Sequence, residues 1–355
     1  MALSADSMRC GEFRTTYKAD TTIFPTPMSR NFAIAGVLLL LLAPLVLSSY
    51  QLNLLIQIGY YGIAALGLNM LVGFSGQISL GHGAFFGFGA FASAWLYNTT
   101  GIPVILVHPL AGRADHGRGH DRRHPGGAHQ GAVSGHRHAR GPVHSRGLLQ
   151  PRGVVHRRFR RRHGRAAVPV RLYVHAVTQR YFYVVLAFVV VMFLLGANLL
   201  RSRDGRAFVA LRDHYLSAEI MGINLTKYRM LAFGVSSFYA GIGGALFAHY
   251  LGFVSAEGFT IVLSIQFLGM IIIGGLGSVM GTLLGTAFMV LLPEVMDWSA
   301  GAVSTVFPGF SQGLAYLREM AIGLAIVLFL IFEPDGLAHR WKLIKAYWKL
   351  YPFSY

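Results

Sequence analysis

Long apolar stretches constrain this chain more than any other feature of its sequence. A helix that crosses a membrane needs about 20 predominantly apolar residues. Hydrophobic residues make up 54% of the 355 positions and charged residues only 13%, which is unusual for a soluble domain. The sequence therefore predicts an all-α fold, a polytopic transmembrane helical bundle. Its candidate spans are 31–48, 53–73, 83–98, 181–199, 229–251, 260–276, 279–293 and 315–333.

Basic residues predict the orientation of this bundle, because short loops rich in Lys and Arg stay in the cytoplasm. Such residues precede the first span, occur throughout the loop at 200–229 and follow the last span. The first span lies behind a polar tail and is predicted to be a retained helix rather than a signal peptide. Both termini are thus predicted to be cytoplasmic. The predicted parts are an N-terminal tail (1–30), a first membrane part (31–112), an aberrant segment (113–177), a second membrane part (178–335) and a C-terminal tail (336–355).

Two glycine-rich segments interrupt the apolar sequence. One is "GFSGQISLGHGAFFGFGAF" from Gly73, and the other is "IIIGGLGSVMGTLLGTAF" from Ile271. Glycine permits close helix approach and irregular backbone, and polar groups at membrane depth often border a transport pathway. The sequence is compatible with two roles for these segments, tight helix packing and a transport pathway. The candidate residues are Gly76, Gln77, Ser79, Gly81, His82, Gly83, Gly274, Gly275, Gly277 and Gly281.

The loop at 200–229 contains "ALRDHYLSAEIMGINLTKYRMLAF", which is polar at first and then amphipathic. A short helix here would lie on the inner face of the bundle, where a cytoplasmic partner could contact it. A generic charged loop is the alternative. The candidate residues are Arg212, Asp213, Ser217, Ala218, Glu219 and Gly222.

Several classes of site are excluded by the sequence. The single cysteine, Cys10, cannot form an internal disulfide or a cysteine-rich metal site. No Gly-Lys pair occurs, so the usual nucleotide-phosphate loop is missing. We predict no catalytic residue, no metal and no cofactor, and any ATP must be handled by a partner.

Taken together, "GFSGQISLGHGAFFG", the Ala218-Glu219 to Gly222 loop and "GGLGSVMGTLLG" resemble the LivM-type permease subunits of branched-chain amino acid ABC transporters. The resemblance covers 31–107 and 178–335 and implies an ATP-driven importer subunit in the bacterial inner membrane. It also implies that 212–222 couples to the ATPases. The implied partners are a second, LivH-like permease, two cytoplasmic ATPase subunits, a periplasmic substrate-binding protein and the lipid bilayer. A urea or short-chain amide permease of the same superfamily remains an alternative.

Residues 113–177 do not fit this resemblance. They hold 15 of the 31 Lys and Arg residues and 10 of the 15 His. An Arg at the centre of a bilayer costs about 3 kcal/mol, so the segment cannot span. A metal site at His116, His120 and His124, a basic nucleic-acid arm and a disordered insert are possible interpretations. The first two would make the chain a membrane-anchored binding protein, but glycines and Pro125 oppose the helix that the metal site needs, and the arm has no interleaved aromatics.

A further interpretation is that 113–177 is translated out of frame. Suppose that the codons behind this sequence are read one nucleotide early. In the frame one nucleotide later, which we call the hidden frame, "AHQGAVSGHRHARGPVH" at 128–144 can encode RIKGLYLAIATLAAQFI. By the same shift, "QPRGVVHRRFRR" at 150–161 can encode NHVGWFTGGFGG. Both sequences decoded in the hidden frame are similar to the pattern of the permease family at the corresponding positions of its sequence. We therefore predict that the reading frame is lost near Gly112 and restored before Gln179. We also predict no nucleic-acid partner.

Overall fold

The computed structural model describes the backbone of residues 22–24, 27–100, 174–304 and 314–350, and the side chains of 22–24, 29–99, 178–298 and 320–347. Regular structure in these residues is entirely helical, as the sequence predicts. Only the last four residues of the aberrant segment are among them, so its proposed metal site and hidden frame lie outside the described residues. The helices are α1 Pro27–Val46, α2 Ser49–Asn69, α3 His82–Thr100, α4 Val174–Arg201, α5 Arg203–Asp213, α6 Tyr215–Ile220, α7 Leu225–Leu251, α8 Ile261–Gly274, α9 Val279–Ser304, α10 Leu314–Phe332 and α11 Gly336–Leu350.

Each of the eight predicted spans falls on one helix, but fewer helices are complete crossings. Five described helices are long and apolar enough to cross a membrane, or six if the bent pair Met320–Phe332 and Gly336–Tyr347 is one span. The two that fall short are α3 and α8. Helix α8 has 14 residues, or about 21 Å, against about 30 Å of hydrocarbon. Helix α3 has 19 residues and is long enough but not apolar enough to pass as a complete crossing. The described helices therefore support five or six of the eight predicted spans as complete crossings.

Local signals in the sequence set several helix ends. Ser48 and Gln51 form a reciprocal capping box at the start of α2. The Asn224 side chain caps α7 by accepting a hydrogen bond from the Lys227 amide (2.9 Å). Helix α7 ends at Gly252, whose φ of 73° is a left-handed conformation that glycine adopts readily.

The core of the bundle lies around α2, which packs against α7, α4 and α9, while α3 packs against α7. Most of the apolar window of α2 is buried (72%), whereas that of α1 is largely exposed (11%). Glycines let the backbones of α2 and α7 approach closely: a Cβ at Gly67 would lie 2.7 Å from the Ser236 carbonyl oxygen. The exposed apolar surface of α1 suits contact with lipid or with another membrane subunit.

Aromatic side chains fill the space between α2, α3, α7 and α8. The Phe86 ring is fully buried, and its centroid lies 5.4 Å from those of Phe247 and Phe267. Tyr61 stacks on Phe86 at 5.8 Å, and Tyr60 meets Phe247 edge to face at 5.5 Å. Such pairs add to the packing of the core beyond the apolar area that they bury.

Candidate functional site

Two glycine breaks lie side by side at one end of the core. The first follows α2, where a π-helical turn, Met70–Phe74, leads into Gly76 with a φ of 71°. The second separates α8 from α9, where Gly275 and Gly277 have φ of 109° and 73°. We call Gly73–Gly76 together with Gly274–Gly277 the glycine junction. At Gly277 a Cβ would lie 3.3 Å from the Gly73 carbonyl oxygen, so the two breaks are in contact.

Asn69 joins the two halves of the glycine junction through three hydrogen bonds. Its side chain is fully buried near the end of α2. Its Oδ1 accepts a hydrogen bond from the Gly277 amide (2.9 Å), and its Nδ2 donates to Thr282 Oγ1 (2.7 Å) and to the Ser278 carbonyl (3.0 Å). These bonds satisfy a buried amide and link residues more than 200 positions apart in the sequence.

Arg212, at the end of α5, connects the loop at 200–229 to the glycine junction. Its Nη1 donates a 2.7 Å hydrogen bond to the Gly73 carbonyl. Its side chain also packs on Gly76, and its Nη1 lies beside Gly277. Its Nε pairs with Asp213 Oδ1 at 2.8 Å, where both side chains are partly exposed. One guanidinium thus contacts both glycine breaks, so α5 cannot shift without disturbing this contact.

The remaining candidate residues of the loop lie on or after α6. Ala218 is buried, and its carbonyl accepts a hydrogen bond from the Ile223 amide (2.9 Å). The carbonyls of Ser217 and Glu219 accept from Met221 and Gly222, respectively. Gly222 has a φ of 86° and open space around its Cα. The short helix that the sequence predicts is therefore present as α6, stopped by a left-handed glycine.

Exposed apolar side chains surround α6. Ile220 is 87% exposed and Met221 82%, and Leu216 is also well exposed. Arg229 lies over the Tyr215 ring at 6.0 Å. We call Leu216, Ile220 and Met221 the loop surface, a small apolar patch beside polar residues, which is typical of a protein contact site.

The candidate residues between the first break and α3 are mostly buried. Gln77 Nε2 donates to Ser75 Oγ (3.0 Å) and to the Arg229 carbonyl (3.4 Å). The Gly81 carbonyl accepts from the Ala84 amide at the start of α3. Ser79 is buried, and its hydroxyl has no hydrogen-bond partner among the described residues.

The N-termini of α3 and α8 meet inside the bundle. The Gly83 amide donates to Ser264 Oγ (3.0 Å), which lies in the first turn of α8. His82 Nε2 donates to the Ala64 carbonyl (2.8 Å), and its ring meets Phe267 edge to face. Both helices present the positive ends of their dipoles to this place. This polar contact between two helix N-termini therefore contrasts with the apolar, aromatic core around it.

Glycines of the second break make close backbone contacts. Gly274 and Gly281 pack against each other across the start of α9, and Gly281 lies against Ala338 of α11. The Gly281 amide donates to Ser278 Oγ (3.0 Å). These contacts have the geometry of tight packing, which was one of the two roles left open by the sequence.

Sequence reasoning missed Asn69, Ser264 and Thr282, which complete the polar contacts between the breaks and the helices. A signal for Asn69 was available, because a polar residue inside an apolar span usually has a specific partner. Among the described residues no group of three or more His, Cys, Asp or Glu side chains could hold a metal ion.

In the part of the chain that the structure describes, five or six apolar helices of spanning length, with interior glycine breaks joined to one polar loop, define a multi-pass membrane protein of the transporter type. A profile of the family described as the branched-chain amino acid transport system permease component matches residues 50–113 and 156–332. The chain belongs to this family. The unmatched stretch 114–155 lies inside the aberrant segment, although the second match already starts 22 residues before position 178.

Individual relatives agree with the family. The high-affinity branched-chain amino acid permease protein LivM of Salmonella typhimurium strain LT2 is 28% identical over 88% of this chain and 75% of its own length. LivM of Escherichia coli K12 has the same identity and coverage. The autoinducer 2 import permease LsrC of Enterobacter sp. strain 638 is 31% identical over 30% of this chain and 33% of its own length. No solved structure matches significantly.

Proposed function

We propose that this chain is the LivM-type permease subunit of an ATP-driven importer that carries branched-chain amino acids across the bacterial inner membrane. The single observation that supports this most directly is Arg212, which ties the polar loop to both halves of the glycine junction. A subunit driven by a separate ATPase needs a link between its docking loop and the segments that move during transport. Arg212 is placed to be that link.

The proposed partners follow from the surfaces of the chain. The loop surface suits a contact with a cytoplasmic ATPase subunit, because its side chains are exposed on a loop that basic residues assign to the cytoplasm. The exposed face of α1 suits lipid or a LivH-like second permease. A periplasmic binding protein would deliver the substrate from the other side. ATP is hydrolysed by the partners, and this chain itself catalyses no reaction.

Transport is proposed to work through the junction. Movement of the docked ATPases displaces α5 and α6, and Arg212 transmits that displacement to the Gly73 carbonyl and to Gly277. Because glycines at 76, 275 and 277 already adopt left-handed conformations, the backbone there can rearrange without side-chain clashes. The breaks thereby change the packing of α3 and α9 and switch access between the two sides.

The experiment that tests this function is uptake of labelled leucine by cells that express the chain with its proposed partners, with labelled urea in parallel. We expect ATP-dependent leucine uptake and no urea uptake. Urea uptake without leucine uptake would establish the alternative importer, and uptake of neither substrate by a chain with 113–177 restored to the permease frame would remove the proposal.

The loop surface is tested by Ile220→Ser, which should reduce uptake and weaken co-purification of the ATPases. Leu251→Ser is the matched control, since Leu251 is also an exposed aliphatic residue but lies at the opposite end of α7. Equal effects of the two changes would show that the loop surface is not a docking site.

A further inference from the structure

The C-terminal segment 336–355, predicted to be a cytoplasmic tail, contains the helix α11, Gly336–Leu350. It is bent by 51° from the preceding apolar helix. Ala338, in its first turn, is buried against Gly275 and Gly281 of the second break. Every described residue from 340 to 347 is exposed. The helix is therefore fixed at its base and free along most of its length.

The projecting part of α11 has an apolar ridge. Trp341 and Ile344 are three positions apart, so they lie on one face of the helix. They are about half exposed, at 43% and 49%. The described part of the chain leaves this half of each side chain uncovered, which is unfavourable for a helix surrounded by water.

A basic ridge runs beside the apolar one. Lys342 and Lys345 are also three positions apart, and residues 336–355 contain no Asp or Glu. Lys345 Nζ lies 5.4 Å from the centre of the Trp341 ring, so the two ridges touch. Arg340 pairs with Glu333, so the basic ridge consists of Lys342 and Lys345. Adjacent aromatic and basic ridges are typical of helices that lie in a membrane surface.

Exposed apolar surface extends along α10 to the start of α11. Helix α10 ends in exposed apolar side chains, including Leu328, Ile331 and Phe332, and α11 begins four residues after Phe332. A bilayer that covers this apolar surface is therefore continuous with the surface beside α11. Since the neighbouring lysines lack acidic partners on the same helix, the lipid that complements them is anionic.

We propose that α11 lies in the membrane–water interface, with Trp341 and Ile344 in the headgroup region and with Lys342 and Lys345 bound to anionic phospholipid headgroups. This surface helix rests against the glycine junction at its base through Ala338. The proposal concerns lipid binding alone, so it can be tested whether or not the chain transports amino acids.

The test uses the full chain with Cys10 replaced by Ser and a single cysteine introduced at Ile344, labelled with an environment-sensitive fluorophore. The protein is placed in vesicles of phosphatidylcholine alone or with one quarter phosphatidylglycerol. We expect blue-shifted emission that is stronger with phosphatidylglycerol and weaker at about 0.5 M salt, which screens charges. Ala346→Cys, on the opposite side of α11, is the matched control and should report water in both vesicles.

A second variant separates the basic ridge from the apolar one. Lys342→Gln and Lys345→Gln together should abolish the response to phosphatidylglycerol, at about fivefold weaker lipid association for each lysine. Water-like emission at Ile344 in both vesicles, or a shift equal in both, would overturn the proposal. So would protection of Ile344 that arises only when the ATPases are added. Size-exclusion profiles matching the parent protein establish that the variants are folded.

Discussion

Arg212 Nη1 and the Gly73 carbonyl oxygen are joined by a 2.7 Å hydrogen bond across 139 residues of sequence. Hydrogen bonds that involve a charged donor contribute more than neutral ones. This bond also connects the only described segment with a predicted docking role to the first glycine break. The proposed coupling therefore depends on one side chain, which makes it accessible to mutation.

Replacing Arg212 with Ala should lower leucine uptake about tenfold, the equivalent of ~1.4 kcal/mol, because the link to Gly73 is lost. Arg212→Lys should rescue little, since an ammonium cannot reproduce the planar contacts of a guanidinium. Uptake and ATP hydrolysis are measured together in the reconstituted complex. We expect hydrolysis to continue without transport.

Asp213→Asn is the control for Arg212. It removes the partly exposed ion pair at 2.8 Å but leaves the bond to Gly73 in place. Pairs of this kind contribute about 0–1 kcal/mol, so uptake should change little. An uptake loss in Asp213→Asn as large as that in Arg212→Ala would assign the effect to the ion pair instead.

Replacing Asn69 with Ala should destabilise the bundle by about 1–3 kcal/mol, because the buried Gly277 amide loses its acceptor. Thermal unfolding of the detergent-solubilised protein measures this. Asn198→Ala is the matched control, since Asn198 is exposed near the end of α4. Unfolding temperatures that fall equally in both variants would contradict the proposed role of Asn69.

Gly244→Ala should be poorly tolerated, because its Cβ would lie 2.8 Å from the Phe86 carbonyl carbon and closer still to the carbonyl oxygen. Forcing this contact apart should cost about 1–3 kcal/mol. Gly36→Ala and Gly323→Ala are helical controls with open space around the Cα. They should be neutral or slightly stabilising, by up to ~1 kcal/mol, because Ala favours a helix. The three variants are ranked by thermal unfolding.

The gene should contain two compensating frame changes between codons 105 and 180, because we propose that residues 113–177 are translated out of frame. Restoring the hidden frame should replace the basic segment with apolar sequence and raise leucine uptake above that of the printed chain. Nucleotide sequencing is the first measurement. An uninterrupted open frame, together with full uptake by the printed chain, would disprove the frameshift.

The sequence predicts the positions of the helices well, because a run of apolar residues must be buried or face lipid wherever it lies. It also predicts a short helix in the loop, which is present as α6, but the left-handed stop at Gly222 is seen only in the structure. It does not predict that α8 is short and meets α3 at Ser264 and Gly83, since that depends on packing across 181 residues of sequence. For the same reason it places Arg212 in the loop but not against Gly73.

Many of the contacts that hold the core together pair a residue before position 101 with one after position 173: Asn69 with Thr282, Gly89 with Gly241, and Gly83 with Ser264. The peptide connection through the aberrant segment contributes to none of them. Two separately translated polypeptides, ending after Thr100 and starting before Val174, would carry the same complementary surfaces. We therefore expect these two polypeptides to reassemble the core when they are expressed in one membrane.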